Sequence, residues 1–494
     1  MSASPASVPS APAAGSSEPQ VPMRRNVELM LLGFALVLGL FAYANVNEAV
    51  LGRVPGNIAE IALGFGAALG AGHLMIRKLA PYADPLLFPI AALINGLGLV
   101  IIYRLDLYSR ITAAANHQKT PSGSASIQAV YSVLGVAVMI GILVLLKDHK
   151  VLQRYAYISA FVGLILIALP AVLPASISEV NGARSWIRLG GFSVQPSEFA
   201  KLLLVSFFAA YFHAKRDALT LASRKFLGLY LPRGRDMGPI LVCWAVAMLI
   251  LIRETDLGVS LMFFGAFVIM LYIATERTSW LLFGLLMFVG GATAVASVAP
   301  HVMARVTAWL HPFSDVSGTT RQIAQSLYAY SNGGLFGTGL GQGYSGLVGF
   351  AANADFILDT VGEELGLVGL TALFLAYGLF VARGLKTAVL VRDPYGKLLA
   401  SGLAVVFALQ VFITAGGVMR LIPLTGLPMP FLAYGGSALV ANWIMVALLL
   451  RISDSARRPI PPALPFTPDF APAQAFPIAP ASAAPAQQPN QVKP

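Results

Sequence analysis

Eight acidic, amide and arginine side chains crowd into one glycine-rich stretch of an otherwise apolar chain: Asp315, Arg321, Gln322, Gln325, Asp355, Asp359, Glu363 and Glu364. Carboxylates take or hold protons, while amides and guanidinium groups orient oxygen-rich ligands. Such a set beside membrane runs points to chemistry on a substrate held at the membrane surface. Gly333, Gly334, Gly337, Gly339, Gly341 and Gly343 interrupt the stretch and let the backbone turn tightly or approach a ligand closely. Their order is not that of a P-loop, and no Lys-Ser/Thr follows, which argues against nucleotide binding. These loops hold no histidine pair at metal-ligand spacing and no Ser-His-Asp arrangement. The acids are therefore the catalytic candidates.

The elements that position these acids are apolar. Of 494 residues, 57% are hydrophobic and 11% charged, against roughly 25% charged in soluble domains. Mean hydropathy is +0.74, so the chain is expected to be an all-α polytopic membrane protein. The single cysteine, Cys243, excludes a disulfide framework and reads as a small buried hydrophobe. A net charge of +11 falls in short clusters beside apolar runs, a topology signal that excludes nucleic-acid binding.

About twelve runs reach the roughly 20 residues a span needs. They begin near Val27, Asn57, Pro85, Ser126, Tyr155, Phe199, Gly238, Gly258, Ser279, Leu365, Leu398 and Phe431. A large loop separates the ninth from the tenth. The expected organisation is a disordered tail over 1–22, a membrane domain over 23–458, and a Pro/Ala-rich disordered tail over 459–494. If the spans alternate, Arg24-Arg25, Arg77-Lys78, Lys147–Arg154, Lys215–Arg235, Arg383–Lys397 and Arg451–Arg458 share one side. The positive-inside rule makes that side, and both termini, cytoplasmic. Every unusual loop then faces outward.

Three further outward motifs carry competing readings. Arg184 and Arg188 beside Trp186 either bind a pyrophosphate at headgroup height or mark the membrane interface. Pro196 and Glu198 read as a helix start, and Lys201, one turn inside an apolar span, faces a polar cavity or snorkels. Arg253-Glu254-Thr255-Asp256 is a charged turn between two spans. The stretch Arg420–Ser437, with three prolines before a glycine pair, should be a re-entrant or kinked segment buried in protein or lining a cavity.

Six ordered segments resemble one family: NGARSWIRLGGFSVQPSEFAKL (181–202), ETDLG (254–258), the run Asp315–Ser326, NGGLFGTGLGQG (332–343), DFILDTVGEELGLVG (355–369) and PLTGLPMPFLAYGGS (423–437). Their order is similar to that of the SEDS proteins, which include RodA and FtsW, the membrane peptidoglycan glycosyltransferases. The resemblance covers a core of about 181–451, with the catalytic loop at about 300–363. The usual core has ten spans; two more on the N-terminal side resemble the larger actinobacterial-type RodA proteins.

The resemblance implies polymerisation of lipid II into β-1,4 glycan at the outer face of a bacterial cytoplasmic membrane, with a class B penicillin-binding protein as transpeptidase partner. Asp315 matches the family's essential loop aspartate. Gly318, Gln322, Gln325 and Ser326 match as well, whereas Val316, Thr320 and Arg321 replace the usual Pro, Gly and Tyr. The implied chemistry is inverting transfer with Asp315 as general base. Arg184, Arg188, Lys201, Gln322, Gln325, Glu363 and Glu364 are expected to bind substrate. Trp186, Glu198, Asp256, Asp355, Thr425 and Pro430 are expected to support the site. No cofactor is certain, and a divalent cation (Mg or Mn) would fall to Glu363 and Glu364. Two other classes compete: a flippase for lipid-linked precursor, and a catalytically silent scaffold.

Overall fold

The computed structural model describes residues 24–179, 184–189, 192–221, 223–226, 229–232, 242, 245–246, 257–349 and 351–459. The chain divides into two units, Met1–Arg458 and Pro459–Pro494. The expected tails over 1–22 and 459–494 lie outside the described residues apart from Pro459, as does most of the span expected from Gly238.

The first unit is helical. In chain order the helices are α1 (Arg25–Leu51), α2 (Ile58–Leu79), α3 (Leu87–Ala115), α4 (Ser124–Leu145), the single turn α5 (Val151–Arg154), α6 (Ala156–Val172), the single turn α7 (Ala175–Ser178) and α8 (Pro196–Leu221). They continue as α9 (Leu257–Thr275), α10 (Ser279–Val298), α11 (Pro300–Leu310), α12 (Arg321–Gly333), α13 (Ile357–Leu390), α14 (Pro394–Val418) and α15 (Gly436–Arg457). Two small antiparallel hairpins pair β1 (Ile187–Leu189) with β2 (Phe192–Val194) and β3 (Ser223–Phe226) with β4 (Leu229–Pro232).

Nine helices among the described residues are long and apolar enough to cross a membrane: α1–α4, α9, α10 and α13–α15. Each takes up one of the expected runs. Of the others, α6 is apolar but has 17 residues, and α8 carries Glu198 and Lys201 within its 26. The chain is thus a polytopic all-α membrane protein, with the hairpins as its only strands among the described residues. The long loop is itself largely helical. Ile323, Ala324, Ser326 and Ala329 bury one face of α12, a helical period that its glycine-rich flanks obscured.

Local chemistry sets several ends. The Asp393 carboxylate accepts from Gly396 N at 2.6 Å, with Pro394 in the first turn of α14, a capped start. Water cannot serve the backbone at membrane depth, so the non-helical segment 421–435 needs other partners. Side chains supply them. Gln128 donates to Ala433 O (3.1 Å) and accepts from Gly435 N (3.1 Å). Gln410 donates to Pro428 O (3.0 Å), Thr414 to Leu427 O (3.1 Å) and Tyr377 to Pro430 O (2.6 Å). Phe431 and Trp443 pack edge to face beside this segment at 5.2 Å.

Among the described residues, the basic clusters at Arg25, Arg383 and Arg451–Arg457 gather at one end of the bundle. Arg25 donates to Pro81 O (3.1 Å), Arg451 to Leu79 O (2.8 Å), and Asp84 pairs with Arg383 (2.6 Å) and Arg457. The loop motifs meet at the other.

Candidate active site

Asp315 stands in the turn that leads into α12. Its Oδ2 accepts from the backbone N–H (2.8 Å) and the hydroxyl (3.2 Å) of Thr319. Its own N–H donates to Thr320 Oγ1 at 3.2 Å, and its carbonyl accepts from Gly318 N at 3.1 Å. An aspartate folded onto its own backbone in this way makes an Asx-type turn. The side chain is exposed, and Oδ1 accepts no hydrogen bond from a described residue. One oxygen is fixed and the other is open, an arrangement that can receive a proton from a hydroxyl. The Phe313 and Tyr328 rings, 5.7 Å apart, tie the turn to the helix.

The element ahead of Asp315 is anchored to the 421–435 segment. Arg305 of α11 donates to Thr425 O at 3.0 Å. Trp309 and Arg420 exchange side-chain-to-carbonyl bonds of 3.2 and 2.8 Å. Behind Asp315, Arg321 reaches Leu347 O at 3.3 Å. Gln322 and Gln325 are half-buried on α12. Ser326 donates toward Asp359 Oδ1 (2.9 Å) and Val418 O (3.1 Å), joining α12 to α13 and α14. Burial, reinforced by the Asp359 carboxyl, holds the Tyr330 phenol well above the ordinary tyrosine value.

Glu363 and Glu364 lie within helix, because α13 begins at Ile357 and kinks at Gly366, where φ is 65°. The helix thus starts ahead of the run expected from near Leu365 and takes in both acids. Glu364 Oε1 accepts from Arg104 Nε (2.9 Å) and Gly343 N (3.3 Å), and its Oε2 from Gly341 N (2.8 Å). Arg104 also donates to Gly343 O at 2.7 Å. Asn332 donates to Glu363 Oε1 at 2.8 Å. The glycine-rich loop therefore lies backbone-to-backbone on α13. A Cβ at Gly337 would come within 2.2 Å of Glu364 O. The close approach these glycines permit is to the protein's own helix. As placed, the pair does not fit a divalent cation: both Glu364 oxygens are committed, the second Glu363 oxygen is buried without a partner, and no metal-ligating cluster exists among the described residues.

Lys201 is fully buried, and its ammonium donates to Glu198 Oε2 (2.6 Å), Gln410 Oε1 (2.8 Å) and Asn442 Oδ1 (3.3 Å). All three protons go to protein acceptors, so the group reads as an internal tie between α8, α14 and α15. Gln410 passes the connection to Pro428, which brings Glu198, Lys201, Thr425 and Pro430 into one region. Asp355 is half-buried beside it; a Cβ on Gly426 would lie 3.8 Å from its Oδ2. Asp256 lies outside the described residues. The hairpin β1–β2 carries exposed Arg188, with Trp186 half-buried just before it. Arg184 is exposed and lies 3.5 Å from Glu179. Gln195 N donates to Ser437 Oγ at 3.1 Å, docking the hairpin against α15.

Sequence reasoning missed Arg104, Asn332, Gln410, Asn442 and Arg305. Three of them left a usable signal: Arg104, Gln410 and Asn442 are polar side chains inside apolar spans, where such groups are costly unless partnered.

The sequence of the family described as cell cycle protein, covering FtsW, RodA and SpoVE, matches residues 84–458. The peptidoglycan glycosyltransferase RodA of Mycobacterium tuberculosis is 48% identical over 442 residues, covering 90% of this chain and 93% of that one. The stage V sporulation protein E of Bacillus subtilis is 33% identical over 384 residues, covering 77% and 99%. A solved chain from work on a peptidoglycan synthase complex that coordinates polymerization and crosslinking shares the fold, with a TM-score of 0.51 at 24% identity, covering 80% of this chain and 96% of that one. The chain belongs to the FtsW/RodA/SpoVE family and resembles its actinobacterial RodA-type members.

Proposed function

We propose that this protein is a peptidoglycan glycosyltransferase that polymerises lipid II at the outer face of the bacterial cytoplasmic membrane, with Asp315 as its general base. The observation that carries the reading is the Asp315 carboxylate, anchored through Oδ2 on Thr319 and open at Oδ1. The free oxygen takes the proton of the acceptor GlcNAc 4-hydroxyl. The deprotonated 4-hydroxyl oxygen, not the carboxylate, attacks the anomeric carbon of the donor sugar from the face opposite the lipid pyrophosphate, whose C–O bond breaks as the pyrophosphate leaves. A single displacement turns the α-linked donor into a β-1,4 glycan. Exposed Arg184 and Arg188 are the groups offered to the departing pyrophosphate, since guanidinium matches phosphate oxygens bidentately. Gln322 and Gln325, on the helix that Asp315 opens, are placed to bind the sugars. Lys201, Glu363 and Glu364 act from behind, holding the frame.

The side of the membrane follows from the charge distribution: the basic end is cytoplasmic, with both termini, and the loop end is extracellular. A class B penicillin-binding protein supplies the transpeptidase. The test is to purify the two proteins together, add labelled lipid II, and resolve glycan products by length. Polymer from the native pair supports the reading. Lipid II crossing sealed vesicles without polymer would favour a flippase instead.

A further inference from the structure

Helices α1 and α2 precede residue 84, where the family match begins. Between this added pair and α3 and α4 lies a cavity of about 930 Å³, in the size range of small-ligand pockets. Its trunk is apolar, lined by Leu36, Leu40, Phe65, Val100, Val133 and Leu134. Gly39 and Gly64 also line it, and a Cβ on either would meet nothing within 4 Å. Asn57, Tyr103, Asp106 and Arg110 form its polar end.

Most of those polar groups are engaged. Tyr103 donates to Asn47 Oδ1 at 2.7 Å, Tyr43 to Asn57 Oδ1 at 3.0 Å, and Asp106 accepts from Ala125 N at 2.8 Å. Arg110 is exposed and forms no ion pair with a described residue. An open apolar trunk ending at an unpaired guanidinium is complementary to a lipid chain carrying an anionic head.

We propose that the added helices build a site for one anionic phospholipid, its acyl chain between α1–α4 and its phosphate on Arg110. Substrate chemistry belongs to the whole family, whose match starts at 84, whereas one wall of this site's trunk is made by α1 and α2, outside that match. That division favours a membrane phospholipid over the lipid-linked sugar. The site also abuts the catalytic frame. A Cβ on Gly341 would lie 2.9 Å from Ala49 Cβ of α1, and Gly341 N donates to Glu364. An occupied site braces α1 against the glycine-rich loop.

The full chain, purified in detergent, would be incubated with phosphatidylglycerol or with diacylglycerol of the same acyl chains, and its retained lipid counted by native mass spectrometry. One phosphatidylglycerol is expected, with diacylglycerol, which lacks the phosphate, held about tenfold more weakly, the worth of one charge-assisted contact. Arg110→Gln should lose a similar factor, and Arg110→Lys should keep part of it. Gly39→Leu with Gly64→Leu should abolish retention by filling the trunk. Arg110 is exposed, so its variant tests the site even if the double leucine variant fails to fold. Equal retention of the two lipids, or unchanged retention in Arg110→Gln, would overturn the proposal. So would displacement of phosphatidylglycerol by an equimolar polyprenyl pyrophosphate, which would make the groove a substrate channel.

Discussion

A Cβ placed on Gly318 would lie 2.2 Å from Oδ2 of Asp315. The glycine is there because the carboxylate folds back over it to reach Thr319. Gly318→Ala must push the carboxylate away, and displacing a reacting group by about 1 Å can cost about 100-fold in rate. The residue is exposed in a turn, so stability should change by less than about 1 kcal/mol. Polymerisation rates and melting curves of the variant, measured side by side, check both halves.

The pair Arg104–Glu364 is buried, and losing one partner leaves a charge unmatched. Arg104→Met should destabilise the protein by about 3–5 kcal/mol. Adding Glu364→Gln should restore part of that loss, because the stranded charge is removed with its partner. Thermal unfolding in detergent of both single variants and the double variant gives the coupling directly.

Lys201 separates two roles experimentally. As an internal tie, Lys201→Met should lower the melting temperature, and Glu198→Gln in the same chain should recover part of it. Any folded fraction should keep its KM for lipid II. An unchanged melting temperature with a raised KM would return Lys201 to the pyrophosphate.

The partners of Lys201 show where sequence reading stops. Spans were legible because an apolar run must be helical in a membrane, and the family was legible because its motifs follow in order. Partners distant in sequence were not. Nothing near Glu364 announces Arg104, 260 positions away, and nothing near Lys201 announces Gln410 or Asn442. The kink at Gly366 was also hidden, since a helix start and a helix bend leave the same glycine. The β1–β2 hairpin escaped because its strands are only three residues each.

His301 gives a dependence on pH. Burial, with Arg305 adding to it, lowers the ring below the ordinary histidine value of 6.5. The folded state then binds fewer protons than the unfolded state below that pH, so stability is full above about 6.5 and is lost as pH falls. His301→Gln should flatten part of the decline in melting temperature between neutral and acidic pH. Identical pH profiles for the two proteins would remove His301 as a source.

The most direct test of the central claim is Asp315→Asn, which keeps the size and the Oδ acceptor on Thr319 but cannot take a proton. With the partner bound and lipid II saturating, kcat should fall by about 100- to 10,000-fold, the range for loss of a general base, while KM and melting temperature stay near native values. A variant that polymerises within twofold of the native rate would contradict the assignment of Asp315 as the base.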